Sequence, residues 1–134
     1  MSSQSELAFH AEKQVLASGA LAEGANNSDD QTNDGYRGVQ LVLDYTAESG
    51  TSPTLDVKVQ VKDPVSGNYV DLAGAAFAQQ NAVGTNMLTI YPGIAETANV
   101  TVSDVLAKTW RVVGTVGGSD TPTVTASVGA TMLR

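Results

Sequence analysis

The chain has 134 residues, 42% of them hydrophobic and only 16% charged, with 14 acidic against 7 basic side chains and a formal net charge of −7. That length supports one domain with one core, and the acidic balance argues against a nucleic-acid partner, because phosphate binding needs clustered Lys and Arg. There is no cysteine, which excludes disulfides and thiolate metal sites, and no stretch approaches the roughly 18–20 apolar residues of a membrane span.

The first six residues lack the basic start and apolar run of a secretory signal, so the expectation is a soluble protein made and kept in the cytoplasm. Thirteen glycines, few aromatics and many β-branched residues suit sheets with tight turns better than helix bundles.

Residues 1–22 admit two readings. Leu7, Ala11 and Val15 fall at four-residue spacing and allow a short helix over 6–16, whereas Val15, Ala17, Gly19 and Leu21 alternate as a strand would. The segment is expected to be an N-terminal arm that packs on the sheet, on a neighbouring subunit, or both. Residues 23–38 (EGANNSDDQTNDGYRG) are polar throughout and read as one long loop. Such loops in compact domains serve binding or are flexible.

The rest of the chain, 23–134, is expected to be a single β domain. Residues 39–47 form a strand with Val39, Leu41, Leu43 and Tyr45 on one face, closed by turn residues at 48–53. The centre of the fold is the stretch that follows. Leu55, Val57, Val59 and Val61 alternate with Asp56, Lys58, Gln60 and Lys62, the period-two pattern of a strand with one dry and one wet face. Residues 63–68 (DPVSGN) then read as a hairpin loop and 69–72 as the returning strand.

Residues 73–84 are rich in small side chains, with Phe77 as their one large anchor. Further strands are expected at 86–91, around Val100 and Val102, at 109–116, and at 123–132, with a turn at 117–122. Two-faced strands at this spacing predict an all-β fold, an antiparallel β-sandwich of jelly-roll-like type.

Candidate chemistry is sparse. His10 is the only histidine and lies in the arm, where an imidazole is hard to hold for general-base work; it reads as a surface residue. Asp29, Asp30 and Asp34 sit among amides over 26–35 and offer oxygen ligands of the calcium type. Counted from Asp30 as an EF-hand, however, the third position is Thr32 and the twelfth is Leu41, so a solvated loop is the better reading.

Residues 63–68 have no lysine and no following helix, which leaves a turn rather than a phosphate cradle. Asp44, Glu48 and Asp56 could be paired carboxylates of the glycosidase type, but outward acids on sandwich strands are routine. Trp110 and Arg111 could stack on a sugar or a partner, although a lone tryptophan in a small sandwich is more often its core anchor. Tyr36, Tyr69 and Tyr91 are candidate interface residues. No residue is assigned a catalytic, cofactor-binding or metal-binding role, and no cofactor is expected.

Six segments, in this order and spacing, carry a resemblance: VLASGALA (15–22), YRGVQLVLDYTA (36–47), SGTSPTLDVKVQVKDPVSGNY (49–69), LTIYPG (88–93), VLAKTWRV (105–112) and TPTVTASVGA (121–130). From about residue 13 to the end, the chain resembles a family of small structural proteins encoded in the morphogenesis clusters of tailed phages and prophages. It departs from that family at Ala107-Lys108, where proline would precede the basic residue, and this should loosen the turn into the tryptophan strand.

The resemblance implies a non-enzymatic virion protein, a capsid decoration (cement) protein on the outside of the phage head. Its expected partners are the major capsid protein and further copies of itself, as a homo-oligomer of the trimer type, with no nucleic acid and no membrane. It also implies that 15–22 is a strand. The alternatives are a phage tail or baseplate module and a carbohydrate-binding sandwich.

Overall fold

The structure is a computed structural model and describes residues 10–134. Its regular elements are all strands: β1 (His10–Ala22), β2 (Gly24–Asn27), β3 (Gln31–Thr32), β4 (Gly38–Lys62), β5 (Tyr69–Ala76), β6 (Gly84–Ile90), β7 (Thr101–Val102) and β8 (Thr109–Leu133).

β4 and β8 are each 25 residues long and pair antiparallel from Gly38↔Leu133 to Val61↔Trp110. Midway the register shifts, between Tyr45 and Ala47 and twice more before Thr54, and the paired ribbon folds over. The corner holds Gly50 (φ 92°), Ser52 (49°), Gly118 (128°), Asp120 (60°) and Thr121 (53°), a run of left-handed conformations that an extended strand avoids. A Cβ on Gly50 would lie 2.7 Å from the Cα of Pro122, so glycine is what lets the two strands cross the corner in contact.

The turns expected at 48–53 and 117–122 are therefore corners inside continuous strands. Local sequence signals a change of direction there, but it cannot distinguish a chain reversal from a fold in an already paired ribbon.

Each half of the ribbon gathers its own neighbours. Residues 38–47 of β4 and 123–133 of β8 lie between β6 and β1, with β7 added parallel to β6. Residues 54–62 of β4 and 109–117 of β8 lie between β5 on one side and β2 with β3 on the other. With the long strands counted as halves, β2–β3 as one strand and the two-residue β7 left out, one sheet runs first, eighth, third, sixth, and the other second, seventh, fourth, fifth. That interleaving of two Greek keys is the jelly-roll order.

The dry faces meet in one core. Val39, Leu41, Leu43 and Tyr45 from β4 face Leu55, Val57 and Val59 beyond the corner, joined by Trp110, Val112 and Val116, by Val124, Ala126 and Val128, and by Phe77, Leu88 and Ile90. These are the inward positions the alternation predicts, each contributing about 1.5–3 kcal/mol when fully buried. Val113 is an exception. It points away from this core yet is only 4% exposed, held on the outer surface between Lys58 and Asn27 in register.

Two stretches differ from expectation. Residues 10–16 are strand, not helix, because β1 pairs with β8 from His10↔Leu133 onward; that tertiary ladder outweighs a weak four-residue spacing. The rest of the proposed helix and the start of the arm, 1–9, lie outside the described residues. Residues 23–38 are not a single loop, since β2 and β3 within them complete the second sheet.

Three polar side chains of that stretch, Asn26, Ser28 and Asn33, bond to backbone. Ser28 Oγ accepts from Val112 N (2.9 Å). Asn33 Nδ2 donates to Leu106 O (3.0 Å) and Tyr36 O (2.7 Å), and Asn26 Nδ2 donates to Gly114 O (3.2 Å). Buried amides and hydroxyls so satisfied look, by composition alone, like a solvated loop.

The sandwich has two unlike ends. The corner end gathers 22–24, 46–54, 77–83 and 117–122, with Leu55 and Gln80 exchanging backbone bonds at 2.8 Å. At the opposite, open end Asn33 N to Lys108 O (2.7 Å) continues the β3–β8 ladder, Arg37 N to Leu133 O (2.9 Å) continues the β4–β8 ladder, and Leu106 N to Arg37 O (3.0 Å) holds the connection into β8.

Candidate functional site

Trp110 and Arg111 are neighbours on β8, so strand geometry sends them to opposite faces. Trp110 is fully buried in the core, and its Nε1 meets no acceptor among the described residues. Arg111 emerges on the outer face of the second sheet, its guanidinium 3.4 Å from the centroid of the Tyr69 ring, while its Nε donates to Gln60 Oε1 (3.0 Å). The pair does not form a shared stacking platform.

A polar network spreads from that contact. Tyr69 OH donates to Asp30 Oδ1 (2.7 Å) and Lys62 Nζ to Asp30 Oδ2 (3.1 Å). One register step further in, Asp71 accepts from Gln60 Nε2 (2.9 Å) and pairs with Lys58 (3.1 Å).

The Tyr69 hydroxyl, then Lys62, hold the Asp30 carboxyl below its ordinary value, and Gln60, then Lys58, do the same for Asp71. Lys62 is raised in turn by Asp30. These groups are solvent-accessible, so the network orders side chains more than it stabilises the fold. As a unit the network has no local sequence signature. Lys58, Gln60 and Lys62 facing Tyr69 and Asp71 could have been read from the hairpin register, but Asp30 and Arg111 arrive only through β8.

The other candidates are scattered. Asp44 accepts from Thr85 Oγ1 (3.1 Å) on the outer face of the first sheet, and Asp56 from Gln79 Nε2 (2.9 Å) on the outer face of the second. Glu48 accepts from Tyr45 OH (2.6 Å) at the corner. These three acids stand on different surfaces, so no glycosidase pair is brought together. Asp63 serves its own turn, taking bonds from Ser66 Oγ (2.6 Å) and Val65 N (3.1 Å), chiefly the former lowering its carboxyl.

Among the described residues no three His, Cys, Asp or Glu side chains group as metal ligands, and Asp30 of the 26–35 stretch is committed to Lys62 and Tyr69. His10 opens β1. Tyr91 OH donates to Arg134 O (2.6 Å), and Tyr36 packs partly against the core.

Concavities are shallow. One of about 360 Å³ runs along β1 beside Gln14, Leu16 and Gly129; another of about 290 Å³ lies over Lys58 and Phe77. Neither gathers convergent polar groups of the kind that orient a small substrate. No helix among the described residues is long and apolar enough to cross a membrane.

The fold is an all-β jelly-roll domain whose outer faces are mainly polar, with Val42 and Met87 exposed side by side on the first sheet. No family model matches the chain, and no curated protein matches it. Among solved structures it is similar to chains in structures of infectious bursal disease virus. For strain Gx the identity is 10% and the TM-score 0.48, over 92% of this chain and 32% of that one. For strain Gt they are 11% and 0.47, over 92% and 33%. The chain thus spans about a third of the length of those it matches.

Proposed function

We propose that this chain is a structural protein of a virus particle with no chemistry of its own, and more narrowly a capsid decoration protein of a tailed phage. It binds the outside of the assembled head, contacts the major capsid protein and further copies of itself, and stabilises the shell. The observation that carries the reading is the jelly-roll order built from two folded 25-residue strands, together with the segment-by-segment resemblance in sequence. Virus capsid proteins use this fold, as do lectins and cupins, so the surface has to choose among them.

The surface favours scaffold over sugar binding. Trp110 is inside, and Arg111 covers one face of Tyr69, so neither ring offers an open stacking platform. A cement protein needs no deep site. Many weak contacts, repeated over a lattice, add through effective concentration.

The test is to mix the purified protein with expanded, undecorated shells and image them. A regular array over the head supports the reading. Attachment only at the tail, in a few copies per particle, transfers the chain to the tail or baseplate, and ligands found on a glycan array together with bare shells would sink the structural reading.

A further inference from the structure

The two outer faces of the sandwich differ in charge. On the second sheet Lys58, Asp71, Lys62, Asp30 and Arg111 stand together at the surface. The first sheet presents mostly hydroxyls, amides and a few aliphatic side chains. Among the described residues its charged groups are Glu12, on the edge strand, and Asp44, which accepts from Thr85. Lys13 turns away, donating its Nζ to Thr32 O of the other sheet.

One register row crosses this face. Gln14 on β1 pairs with Gly129 on β8, Gly129 with Val42 on β4, and Val42 with Met87 on β6. Val42 and Met87 are exposed, at 37% and 50%, and make an apolar ridge. Beside them Gly129 has open space over its Cα, so the sheet is hollowed there. The concavity of about 360 Å³ opens over Gly129 and is walled by Gln14 and Leu16. A ridge and a hollow in one row, on adjoining strands, are the two halves of a self-complementary contact.

We propose that the outer face of the first sheet is a homotypic docking surface, and that its occupant is the same face of a second copy of this chain. A two-fold axis along the strands, between β4 and β8, sets Val42 of each copy over Gly129 of the other and Met87 over Gln14, because all four share a row. The same operation sets Asp44 over Ser127 and Glu12 over Thr89, so each carboxylate meets a hydroxyl donor and not another acid.

Charge and area both favour this occupant. Copies that each carry a net charge of −7 meet with least repulsion and least desolvation through a charge-poor face. Packing the second sheet on itself would bury a crowd of charges instead. Four strands about 4.8 Å apart and about eight residues long make the face roughly 19 by 26 Å. A face-to-face pair then covers about 1,000 Å², the lower bound for a specific interface, so it forms reversibly with concentration. The assignment gives a surface to the self-contact in the reading above, and a two-fold contact of this kind closes on two copies, not three.

The experiment is analytical ultracentrifugation of the full chain without shells, for wild type, Val42→Lys, Gly129→Glu and a control, Val70→Lys, exposed on the second sheet. Thermal melts confirm that each variant is folded. Wild type is expected to pass from monomer to dimer with concentration. Val42→Lys and Gly129→Glu should each raise the dissociation constant about tenfold or more, and Val70→Lys should leave it unchanged. An equimolar mixture of the two weakened variants should pair again, since the introduced amine meets the introduced carboxylate at one crossing and the other crossing is wild type. A trimer, a pair indifferent to both substitutions, or a mixture that stays monomeric overturns the proposal. So does a wild-type monomer at every concentration. In that case, faster peroxide oxidation of Met87 after removal of residues 1–9 identifies that segment as the cover, and protection of Met87 only on shells identifies coat protein. Because no shell enters the ultracentrifuge, loss of the pair leaves the shell-binding reading standing, and bare shells leave the pair standing.

Discussion

Val59 shows how little freedom a single inward position has. Its side chain is fully buried at the centre of the folded ribbon, opposite Val112 in register. Val59→Asp places an unpaired carboxylate in the core, and the expected outcome is a domain that no longer gives a cooperative urea transition; a wild-type-like transition would mean the register of β4 is misassigned. Trp110 poses a subtler case. Its buried Nε1 has no acceptor among the described residues, so Trp110→Phe removes an unsatisfied donor along with some volume. The loss should stay under about 1.5 kcal/mol, against about 3–5 kcal/mol for Trp110→Ala, as measured by chemical denaturation.

Tyr45 supplies the pH dependence. Burial, and behind it the hydrogen bond to Glu48, push its phenol up from 10.0 to about 12. The folded state therefore holds the proton more tightly than the unfolded state does. The stabilisation is complete below the unfolded value and disappears as pH rises through the window up to about 12. Denaturation midpoints followed across that window should fall for wild type and fall less steeply for Tyr45→Phe. Parallel curves would show that Tyr45 does not report alkaline stability.

At the scale of elements, the corner is where the architecture is most exposed to failure. Gly50 combines a φ of 92° with no room for a Cβ against Pro122. Gly50→Ala should cost about 1–3 kcal/mol, whereas Gly129→Ala, with open space over its Cα, should cost much less. Equal melting temperatures for the two variants would contradict the tight crossing of β4 and β8. The hairpin of β4 and β5 behaves otherwise. Its turn is closed locally by Asp63 and Ser66, and Lys62↔Tyr69, Val61↔Val70 and Gln60↔Asp71 pair as the alternation requires.

For the whole molecule, the decisive arrangement is the ladder between β4 and β8, which joins Gly38 to Leu133 and makes most of the pairing remote in sequence. Because β1 begins at His10, removing 1–9 spares the ladder whereas removing 1–12 does not. If the first nine residues serve attachment, the 1–9 truncation should weaken shell docking by more than any drop in melting temperature implies, read by co-sedimentation beside calorimetry. Undiminished docking would assign attachment to residues 10–134.

Alternation by itself determined the class of fold and the inward residues of the long strands, since period-two burial is a property of the extended backbone. It placed Val39, Leu41, Leu43, Tyr45, Leu55, Val57, Val59 and Trp110 in the core and closed the hairpin at 63–68 in the right place. Only the tertiary structure decided that two expected pairs of strands are each one long folded strand, that the polar 23–38 stretch carries β2 and β3, and that Asp30 and Arg111 meet at Tyr69. Each of these depends on hydrogen bonds between residues far apart in the chain. A local pattern records which face of a strand is dry, and it is silent on which strand lies alongside.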